Sequence, residues 1–247
     1  YLSDKRSLAQ IDALLQKEGI TRDGNLDYIC AMRDGNDEII ATGSCFGCTL
    51  RCFAVSSEHQ GEGLLNEIIS HLMEVQYARG NMHLFLYTKI KSAKFFGDLG
   101  FYEIARVDGT LVFMENRKSG FPNYLKNLEK TKKDGVSAAL VMNANPFTLG
   151  HQYLVETAAR NCDTLHLFVL SEDASLVPFA VRKKLVQEGV AHIPNVVLHD
   201  SGPYIISSAT FPSYFLKDEA AVIDGHARLD LAVFTKIAQA LNVTHRF

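Results

Sequence analysis

Residues 142–151 read Met-Asn-Ala-Asn-Pro-Phe-Thr-Leu-Gly-His, and this stretch decides the fold of the second half of the chain. It follows the short apolar run 136–142, which is typical of a buried parallel strand. Beyond it, apolar side chains recur on one side of residues 149–160, and this periodicity indicates a helix. The quoted stretch is therefore predicted to be the loop of a strand–loop–helix unit, in which Thr148 can cap the helix.

Strand and helix patterns keep alternating after this unit. Further strands are predicted at 164–170 and 195–199, and further helices at 180–191, 208–216 and 229–241. Because strands that alternate with helices form parallel layers, the second half is predicted to be an α/β domain with a parallel sheet.

The first half has a different pattern, in which short strand candidates outnumber helices. Helices are predicted at 7–18, at 63–79 and from Ser92 as N-cap to Gly100, and strands at 28–32, 39–43, 50–55, 83–87, 101–106 and 110–115. A polar, lysine-rich stretch separates the two halves. We therefore predict one domain at 1–118, a connecting segment with a short helix at 119–135, and a second domain at 136–247.

The composition argues against several classes of protein. The chain has 247 residues, of which 47% are hydrophobic and 21% charged, so it can form packed cores and is not disordered. Its formal charge of −3 gives no general basic character, and we expect no nucleic-acid partner. We see no N-terminal signal peptide and no apolar run near the roughly 20 residues that span a bilayer, so we expect no membrane association.

The cysteines and the chain ends bear on the setting of the protein and on its completeness. The five cysteines are Cys30, Cys45, Cys48, Cys52 and Cys162. An odd number fits a reduced cytoplasmic protein better than a disulfide framework. Three of them have a metal-like spacing, but the fourth ligand of a zinc site is missing, and we expect buried thiols without a metal. Because the chain lacks an initial Met and stops abruptly, we expect a partial chain whose second domain is incomplete at its C-terminus.

The loop that leads into the helix at 149–160 has the residues of a phosphate-binding site. The start of a helix carries unpaired N–H groups and the positive end of the helix dipole, which together favour a phosphate chain. Thr148 can offer a hydroxyl, and Gly150 lets a phosphate approach the backbone. His151 can donate a hydrogen bond where negative charge builds in a transition state. The alternative is a capped turn with a half-buried histidine.

The segment from Asn145 to His151 resembles the [H/T]xGH signature of the nucleotidylyltransferase superfamily, with Thr148 at the first signature position. Members of that superfamily attack the α-phosphate of a nucleotide, release diphosphate and share a Rossmann-like fold. The resemblance implies that Thr148 and His151 are catalytic. It also implies that ATP is bound by Asn145, Pro146, Phe147, Thr148, Gly150 and His151.

A second stretch resembles the ISSxT block of the same superfamily. Residues 204–217 read Tyr-Ile-Ile-Ser-Ser-Ala-Thr-Phe-Pro-Ser-Tyr-Phe-Leu-Lys. The arginine that many relatives carry there is absent, and Lys217, the nearest downstream cation, lacks the bidentate geometry of arginine. The resemblance implies ATP contacts from Ile206, Ser207, Ser208, Thr210 and Lys217. In the alternative interpretation, the two serines only cap a helix.

Two basic residues near the start of the predicted helix 180–191 are further candidates for phosphate binding. Arg182 and Lys183 carry the positive charge that a nucleotide attracts. A charged, solvated helix face explains the pair equally well, so both interpretations stay open.

The start of the long helix in the first half resembles the Q/R-x-x-G-x-G/A loop of GNAT acetyltransferases, which holds the CoA pyrophosphate on backbone N–H groups. The loop reads Gln60-Gly61-Glu62-Gly63-Leu64-Leu65, and the stretch 92–101 is similar to a second GNAT block that closes with Gly-Phe. The resemblance implies CoA-like binding by Gln60, Gly61 and Gly63. However, Leu65 replaces a small residue, and Phe96 stands where many relatives carry a tyrosine that acts as general acid. Because phenylalanine cannot donate a proton, acetyl transfer by this half is not favoured.

The two halves together resemble the citrate lyase ligase family, on the segment 200–204 and the block 206–217 in particular. This resemblance implies a GNAT-like mixed sheet with helices, followed by a Rossmann-like, parallel-sheet nucleotidylyltransferase domain. It implies ATP- and Mg²⁺-dependent activation of acetate as acetyl-adenylate. The acetyl group would pass to the thiol of the prosthetic group on the citrate lyase acyl carrier subunit, with release of AMP and diphosphate.

Three other functions stay open at this point. The first is a cofactor nucleotidylyltransferase that transfers AMP to a phosphopantetheine-type substrate. The second is a GNAT acetyltransferase with an accessory α/β domain. The third is a carrier-binding module without catalysis, against which the intact Thr148, Gly150 and His151 count.

Overall fold

The computed structural model describes residues 4–172, 176–207, 211, 212, 214, 216 and 218–247. The chain divides into two compact units, of which the first comprises Tyr1–Lys118 with Pro212–Gly225 and the second Ser119–Phe211 with His226–Phe247. This grouping differs from the predicted domains in two segments. The connecting segment 119–135 is part of the second unit, and residues 212–225 group with the first.

The first unit is a six-stranded mixed sheet with helices. Its strands are β1 (Tyr28–Arg33), β2 (Ile39–Phe46), β3 (Thr49–Val55), β4 (Phe85–Thr88), β5 (Tyr102–Val107) and β6 (Leu111–Glu115), in the order β1-β2-β3-β4-β6-β5. Its helices are α1 (Lys5–Lys17), α2 (Leu64–Ala78) and α3 (Ile90–Asp98). All neighbouring strands are antiparallel except β3 and β4, which are parallel. The mixed sheet with helices predicted for the first half is confirmed.

The parallel pair β3–β4 is short and is followed by an irregular backbone. Only Thr49 and Leu50 of β3 pair with β4. Two residues further on, Cys52 has a φ of 53°, and the pairing between β2 and β3 shifts register nearby. A bulge of this kind redirects a strand. The two central strands therefore stop pairing where a cavity, described below, begins.

The core of the first unit forms because α2 has one strongly apolar face. Ile68, Ile69 and Leu72 on that face are almost completely buried. Full burial of each such side chain contributes roughly 1.5–3 kcal/mol. Close packing requires Gly43 in β2, since a Cβ there would lie 2.5 Å from Ile68 Cγ2.

The second unit is a four-stranded, fully parallel sheet with helices. Its strands are β7 (Ser137–Met142), β8 (Thr164–Val169), β9 (Val196–Asp200) and β10 (Val243–Arg246), in the order β10-β7-β8-β9. The helices are α4 (Gly120–Glu129), α5 (Leu149–Ala159), α6 (Phe179–Gly189) and α7 (Glu219–Leu241), whose first residues group with the first unit. All six residues of β8 are buried, as expected for a parallel strand covered on both faces. The predicted parallel-sheet domain is confirmed.

The strand order of this sheet reverses at β7. From β7 the chain continues to β8 and β9 on one side, and β10 then pairs with the other side of β7. In open α/β sheets, ligands bind beyond the carboxyl ends of the strands at such a reversal point. The loop that leaves β7 is the 143–148 stretch, so the topology places the predicted phosphate loop at the expected ligand position.

The structure corrects three predictions of individual elements and adds one strand. The described residues of the predicted helix 208–216, namely 211, 212, 214 and 216, are not helical. The helix predicted at 229–241 begins earlier, at Glu219. Its first turns were not predicted because they are rich in alanine and acidic residues and lack a large apolar periodicity. Strand β10 was not predicted, since it is short and mostly exposed. Ser92 is not the N-cap of α3; Lys89 is, and Ser92 lies inside the first turn.

Two histidines on adjacent strands of the second unit form a buried pair. His166 Nδ1 and His199 Nε2 are 2.9 Å apart, and the two rings stack. His166 is fully buried and His199 is 8% exposed. Burial lowers the pKa of His166 to about 4. Burial, together with the neighbouring His166, lowers the pKa of His199 to about 4 as well.

This pair is expected to make the stability of the second unit pH-dependent. An unfolded chain binds protons on these rings near pH 6.5, whereas the folded chain binds them only near pH 4, so stability is complete above pH 6.5 and falls as the pH drops to 4. One imidazole contributes on the order of 3 kcal/mol. Urea unfolding between pH 4 and 7.5 should show a clearly smaller loss for His199→Gln than for the unsubstituted protein. His71→Gln, at an exposed histidine, is the control. Equal pH profiles for all three proteins would contradict the assignment.

Candidate active site

The start of α5 is capped by its own signature residues. Thr148 has an extended backbone, and its Oγ1 accepts the N–H of His151 at 3.4 Å. In return, the Thr148 N–H donates to His151 Nδ1 at 3.1 Å, and the Thr148 hydroxyl lies 2.8 Å from the same nitrogen. This is a reciprocal capping box in which histidine takes the place usual for Glu or Gln.

The capping box fixes which ring nitrogen of His151 can donate. A backbone N–H can only donate, so the hydrogen bond from Thr148 requires Nδ1 to be an acceptor. In the neutral ring the proton is then on Nε2. His151 is therefore held at the positive end of the α5 dipole with an N–H donor left for a ligand, which is the arrangement that an anionic oxygen needs.

Gly150 is not required by packing within the chain. A Cβ there would meet only Thr148 Oγ1, at 3.6 Å, which is an ordinary contact distance. The first N–H groups of a helix have no partner within the helix. A small residue at this position leaves those groups open to a phosphate.

The residues before Thr148 hold the loop in place. Asn145 Oδ1 accepts the N–H of Val177 at 3.0 Å, which ties this loop to the loop after β8. The peptide bond between Asn145 and Pro146 is cis. Phe147 is half-buried, and its ring stacks on the His151 imidazole with centroids 5.8 Å apart.

Arg182 is neither a phosphate ligand nor part of a solvated face, which corrects both interpretations from the sequence. It is fully buried. Its guanidinium donates to the carbonyl oxygens of Asn143 and Leu170 at 2.8 Å, of Val177 at 2.9 Å, and of Glu172. Arg182 thus joins the loop after β7 to the loop after β8. When two basic residues are adjacent at the start of a helix, the sequence does not show which side chain points inward.

Lys183 forms an ion pair at the carboxyl end of β9. Its Nζ lies 2.8 Å from the Asp200 carboxylate, and both side chains are between a third and a half exposed. Such a pair can exchange with solvent or with a ligand phosphate. Lys183 therefore stays a candidate for phosphate binding, whereas Arg182 does not.

The second predicted block is only partly within the described residues. Ser208, Thr210 and Lys217 lie outside them. Ser207 donates to the Glu172 carboxylate twice, from its backbone N–H at 2.9 Å and from its hydroxyl at 2.6 Å. Ile206 offers its carbonyl oxygen to His226 Nε2 at 3.1 Å.

Glu172, which no pattern in the sequence marks as a site residue, connects the parts of this site. Its carboxylate binds Ser207, and its carbonyl oxygen accepts from Arg182. Through these contacts, the loop after β7, the loop after β8 and Ser207 form one connected region at the carboxyl edge of the sheet. A single acidic residue after a strand gives no signal in the sequence, because its partners are 10 and 35 positions away.

The residues predicted to bind a CoA-like group line a separate cavity, and this cavity belongs wholly to the first unit. The cavity has a volume of about 580 Å³, and Gln60, Gly61 and Gly63 are among its lining residues. Gly61 and Gly63 have φ values of 92° and 83°, which favour glycine. Gly63 is the N-cap of α2 and offers no side-chain cap.

The two residues that differ from the GNAT sequence pattern lie in other walls of this cavity. Leu65 and Phe96 both line it. Phe96 is 4% exposed and belongs to the apolar core. Tyr214 also lines it, and its hydroxyl donates to the Tyr87 carbonyl oxygen at 2.8 Å. At the Phe96 position the cavity therefore has an apolar wall instead of a proton donor.

All five cysteines are free thiols. Burial raises the pKa of Cys45 to about 12 and that of Cys52 to about 11. Within the described ranges, no group of three or more His, Cys, Asp or Glu side chains could hold a metal ion.

In the part of the chain that the structure describes, no helix is both long and apolar enough to cross a membrane.

Comparison with solved structures finds partial matches, each over less than half of the chain. Escherichia coli ElaA matches with a TM-score of 0.41 and 16% identity, over 46% of this chain and 92% of that one. A GNAT-family acetyltransferase from Staphylococcus aureus matches with a TM-score of 0.39 and 14% identity, over 46% of this chain and 96% of that one.

Comparison of sequences finds relatives along the whole chain. Residues 137–247 match the family described as citrate lyase ligase C-terminal domain. The "[Citrate [pro-3S]-lyase] ligase" of Haemophilus influenzae is 37% identical over 99% of this chain and 74% of its own length. Proteins of the same name from Klebsiella pneumoniae and Escherichia coli are 39% and 38% identical, over 72% and 70% of their lengths. Since this identity extends over nearly every residue of the chain, the protein belongs to the citrate lyase ligase family, whose curated members are enzymes.

Proposed function

We propose that the protein activates acetate with ATP as acetyl-adenylate and then transfers the acetyl group to a thiol on the citrate lyase acyl carrier subunit. AMP and diphosphate are the other products. The names of the relatives support a ligase that acts on citrate lyase. The capped loop at Thr148–His151 supports the ATP-dependent half of the reaction.

The observation that carries the proposal is the orientation of His151 at the reversal point of the sheet. Thr148 occupies Nδ1, so Nε2–H is the donor that remains. In the adenylation step, an acetate oxygen attacks the α-phosphorus, and the bond from that phosphorus to the diphosphate oxygen breaks. Negative charge builds on the phosphate oxygens during this step, and a fixed N–H donor stabilises it more in the transition state than in the ground state.

Mg²⁺ fits this site as a companion of the nucleotide. The described residues include no cluster of three ligands that could hold the ion alone. Mg²⁺ commonly keeps several waters and binds substrate phosphates with one or two carboxylates. When bound, it would neutralise charge on the leaving diphosphate. Gly150 and the first turn of α5 would hold the phosphates themselves.

In the second half-reaction, the carrier thiol attacks the acetyl carbonyl and AMP leaves. We propose that the cavity of the first unit binds the CoA-like arm that carries this thiol. Its volume of about 580 Å³ lies within the range of small-molecule sites, roughly 300–1,000 Å³. Gly61 and Gly63 leave the backbone at the start of α2 uncovered for phosphate. Because Phe96 has no proton to donate, we assign this cavity a binding role rather than acetyl transfer.

We place the reaction in the cytoplasm. The five free cysteines are consistent with a reducing compartment.

The test is acetate-dependent exchange of labelled diphosphate into ATP by the full-length protein. The proposal expects exchange that requires both acetate and Mg²⁺ and stops when either is omitted. Exchange that is independent of acetate, with AMP transferred instead to a phosphopantetheine-type acceptor, would support a cofactor nucleotidylyltransferase. Absence of exchange, with acetyl transfer from acetyl-CoA to an amine, would support an acetyltransferase. Either of these results would refute acetyl-adenylate formation.

A further inference from the structure

Gly189, the last residue of α6, lies directly under the ring of Phe147. A Cβ at Gly189 would be 2.3 Å from Phe147 Cε1 and 2.9 Å from Cδ1, far inside contact distance. The backbone of Gly189 is helical and does not have a positive φ. Glycine within a helix costs roughly 0.5–1 kcal/mol relative to alanine. The conformation of the chain therefore does not require glycine here, but the position of the Phe147 ring does.

Phe147 in turn contacts the histidine of the proposed site. Its ring and the His151 imidazole are stacked, with 5.8 Å between centroids and 24° between planes. The two contacts of Thr148 with the His151 ring, from its N–H and its hydroxyl, are both at Nδ1. Because the ring is also attached through Cβ, a hydrogen bond at one nitrogen still permits the ring to tilt by combined changes in χ1 and χ2, and a second contact on the ring face restricts this tilt. Phe147 provides that second contact.

We propose that Gly189 is a positioning residue for adenylation. Because Gly189 has no side chain, the Phe147 ring can pack against α6 at this position (the seating of the ring), and Phe147 in turn sets the plane of the His151 imidazole. This inference rests on the proposed function, because it assigns a purpose to the direction of Nε2–H. It also gives Phe147 a different role from the ATP contact implied by the sequence resemblance. The ring packs against α6, and its action on the nucleotide passes through His151.

A simple packing role for Phe147 makes a different prediction. If the ring only filled space, crowding it would lower the stability of the second unit and leave the chemistry of the folded protein unchanged. If it orients His151, crowding it moves Nε2–H away from the phosphate. A misplacement of about 1 Å in a reacting geometry can cost about 10²-fold in rate.

The test compares Gly189→Ala with Gly97→Ala in the full-length protein. Both glycines are helical and without positive φ, but a Cβ at Gly97 meets nothing within 4 Å. We expect Gly189→Ala to lower the saturating rate of acetate-dependent diphosphate exchange by about 10–100-fold, with a change in the KM for ATP of less than about threefold. Gly97→Ala should stay within about twofold of the unsubstituted rate.

A double-substitution cycle separates positioning from general damage. Leucine in place of Phe147 removes Cε1, the atom that lies nearest to a Cβ at residue 189. The combined protein Gly189→Ala/Phe147→Leu should therefore be no slower than Phe147→Leu alone, because the two changes act on one contact. Losses that simply add, or a Gly189→Ala protein as fast as the unsubstituted one, would overturn the inference.

A readout without turnover keeps this inference separable from the proposed function. The ¹⁵N signals of the His151 ring report its tautomer and its environment. They should shift in Gly189→Ala and stay in place in Gly97→Ala. If the unsubstituted protein shows no exchange but the His151 signals shift as expected, the proposed function fails and the seating of the ring stands. Unchanged His151 signals in Gly189→Ala would refute the seating itself.

Discussion

Replacement of His151 with alanine is expected to lower the rate of acetate-dependent adenylation by about 10²–10³-fold, which is the typical cost of removing one fixed donor to a developing negative charge. The fold should survive. The N–H of residue 151 still donates to Thr148 Oγ1 in the alanine protein, so the cap of α5 is only partly lost. Stability should fall by less than about 1 kcal/mol.

The measurement is the rate of labelled diphosphate exchange into ATP at saturating acetate, ATP and Mg²⁺. His192→Ala is the matched control, since His192 pairs with Glu156 of α5 at 3.0 Å but is outside the loop. It should keep the unsubstituted rate within about twofold. A folded His151→Ala protein with an undiminished rate would remove His151 from the mechanism.

The local part of this site could be predicted from the sequence because its contacts are short-range. Thr148 and His151 are three residues apart, and a strand, a loop and a helix start at fixed offsets determine their arrangement. The apolar runs that mark β7 and β8 likewise predicted both strands to within one residue at each end. Patterns of this kind depend only on neighbouring residues.

The remainder of the site depends on contacts that no local pattern encodes. Phe147 meets Gly189 across 42 positions, and Ser207 meets Glu172 across 35. The burial of Arg182 depends on carbonyl groups from two different loops. A glycine at a helix end and a single arginine have common local explanations, and only the tertiary structure shows that these two have other roles.

The grouping of residues 212–225 with the first unit could not be predicted from the sequence either. The alternation of strands and helices assigned this stretch to the second domain. In the structure, Tyr214 is buried and bonds to both Tyr87 and Thr21. One aromatic residue in an irregular segment carries no periodicity, so the sequence pattern could not predict its position.

Replacement of Arg182 with methionine is expected to lower the free energy of unfolding by about 3–5 kcal/mol. Methionine fills much of the same volume but cannot donate. Four backbone carbonyl groups would then lose a charged donor in a buried region, and each unsatisfied buried group costs roughly 1–3 kcal/mol before the loops relax. Arg182→Lys should not restore stability, because a single ammonium group cannot reproduce the planar fork that reaches all four oxygens.

The effect of Arg182 can be measured by urea unfolding followed with two spectroscopic probes, since a chain of two units need not unfold in one step. Lys184→Met, on the same helix at a largely exposed side chain, is the control and should change stability by no more than about 0.5 kcal/mol. Adenylation should fall together with stability in Arg182→Met, because Asn143 and Glu172 lose their common anchor. A loss of stability no larger than that of Lys184→Met would mean that the two loops hold their positions without this residue. The connection between the loop after β7 and Ser207 would then depend on other contacts, such as those of Asn145 and Glu172.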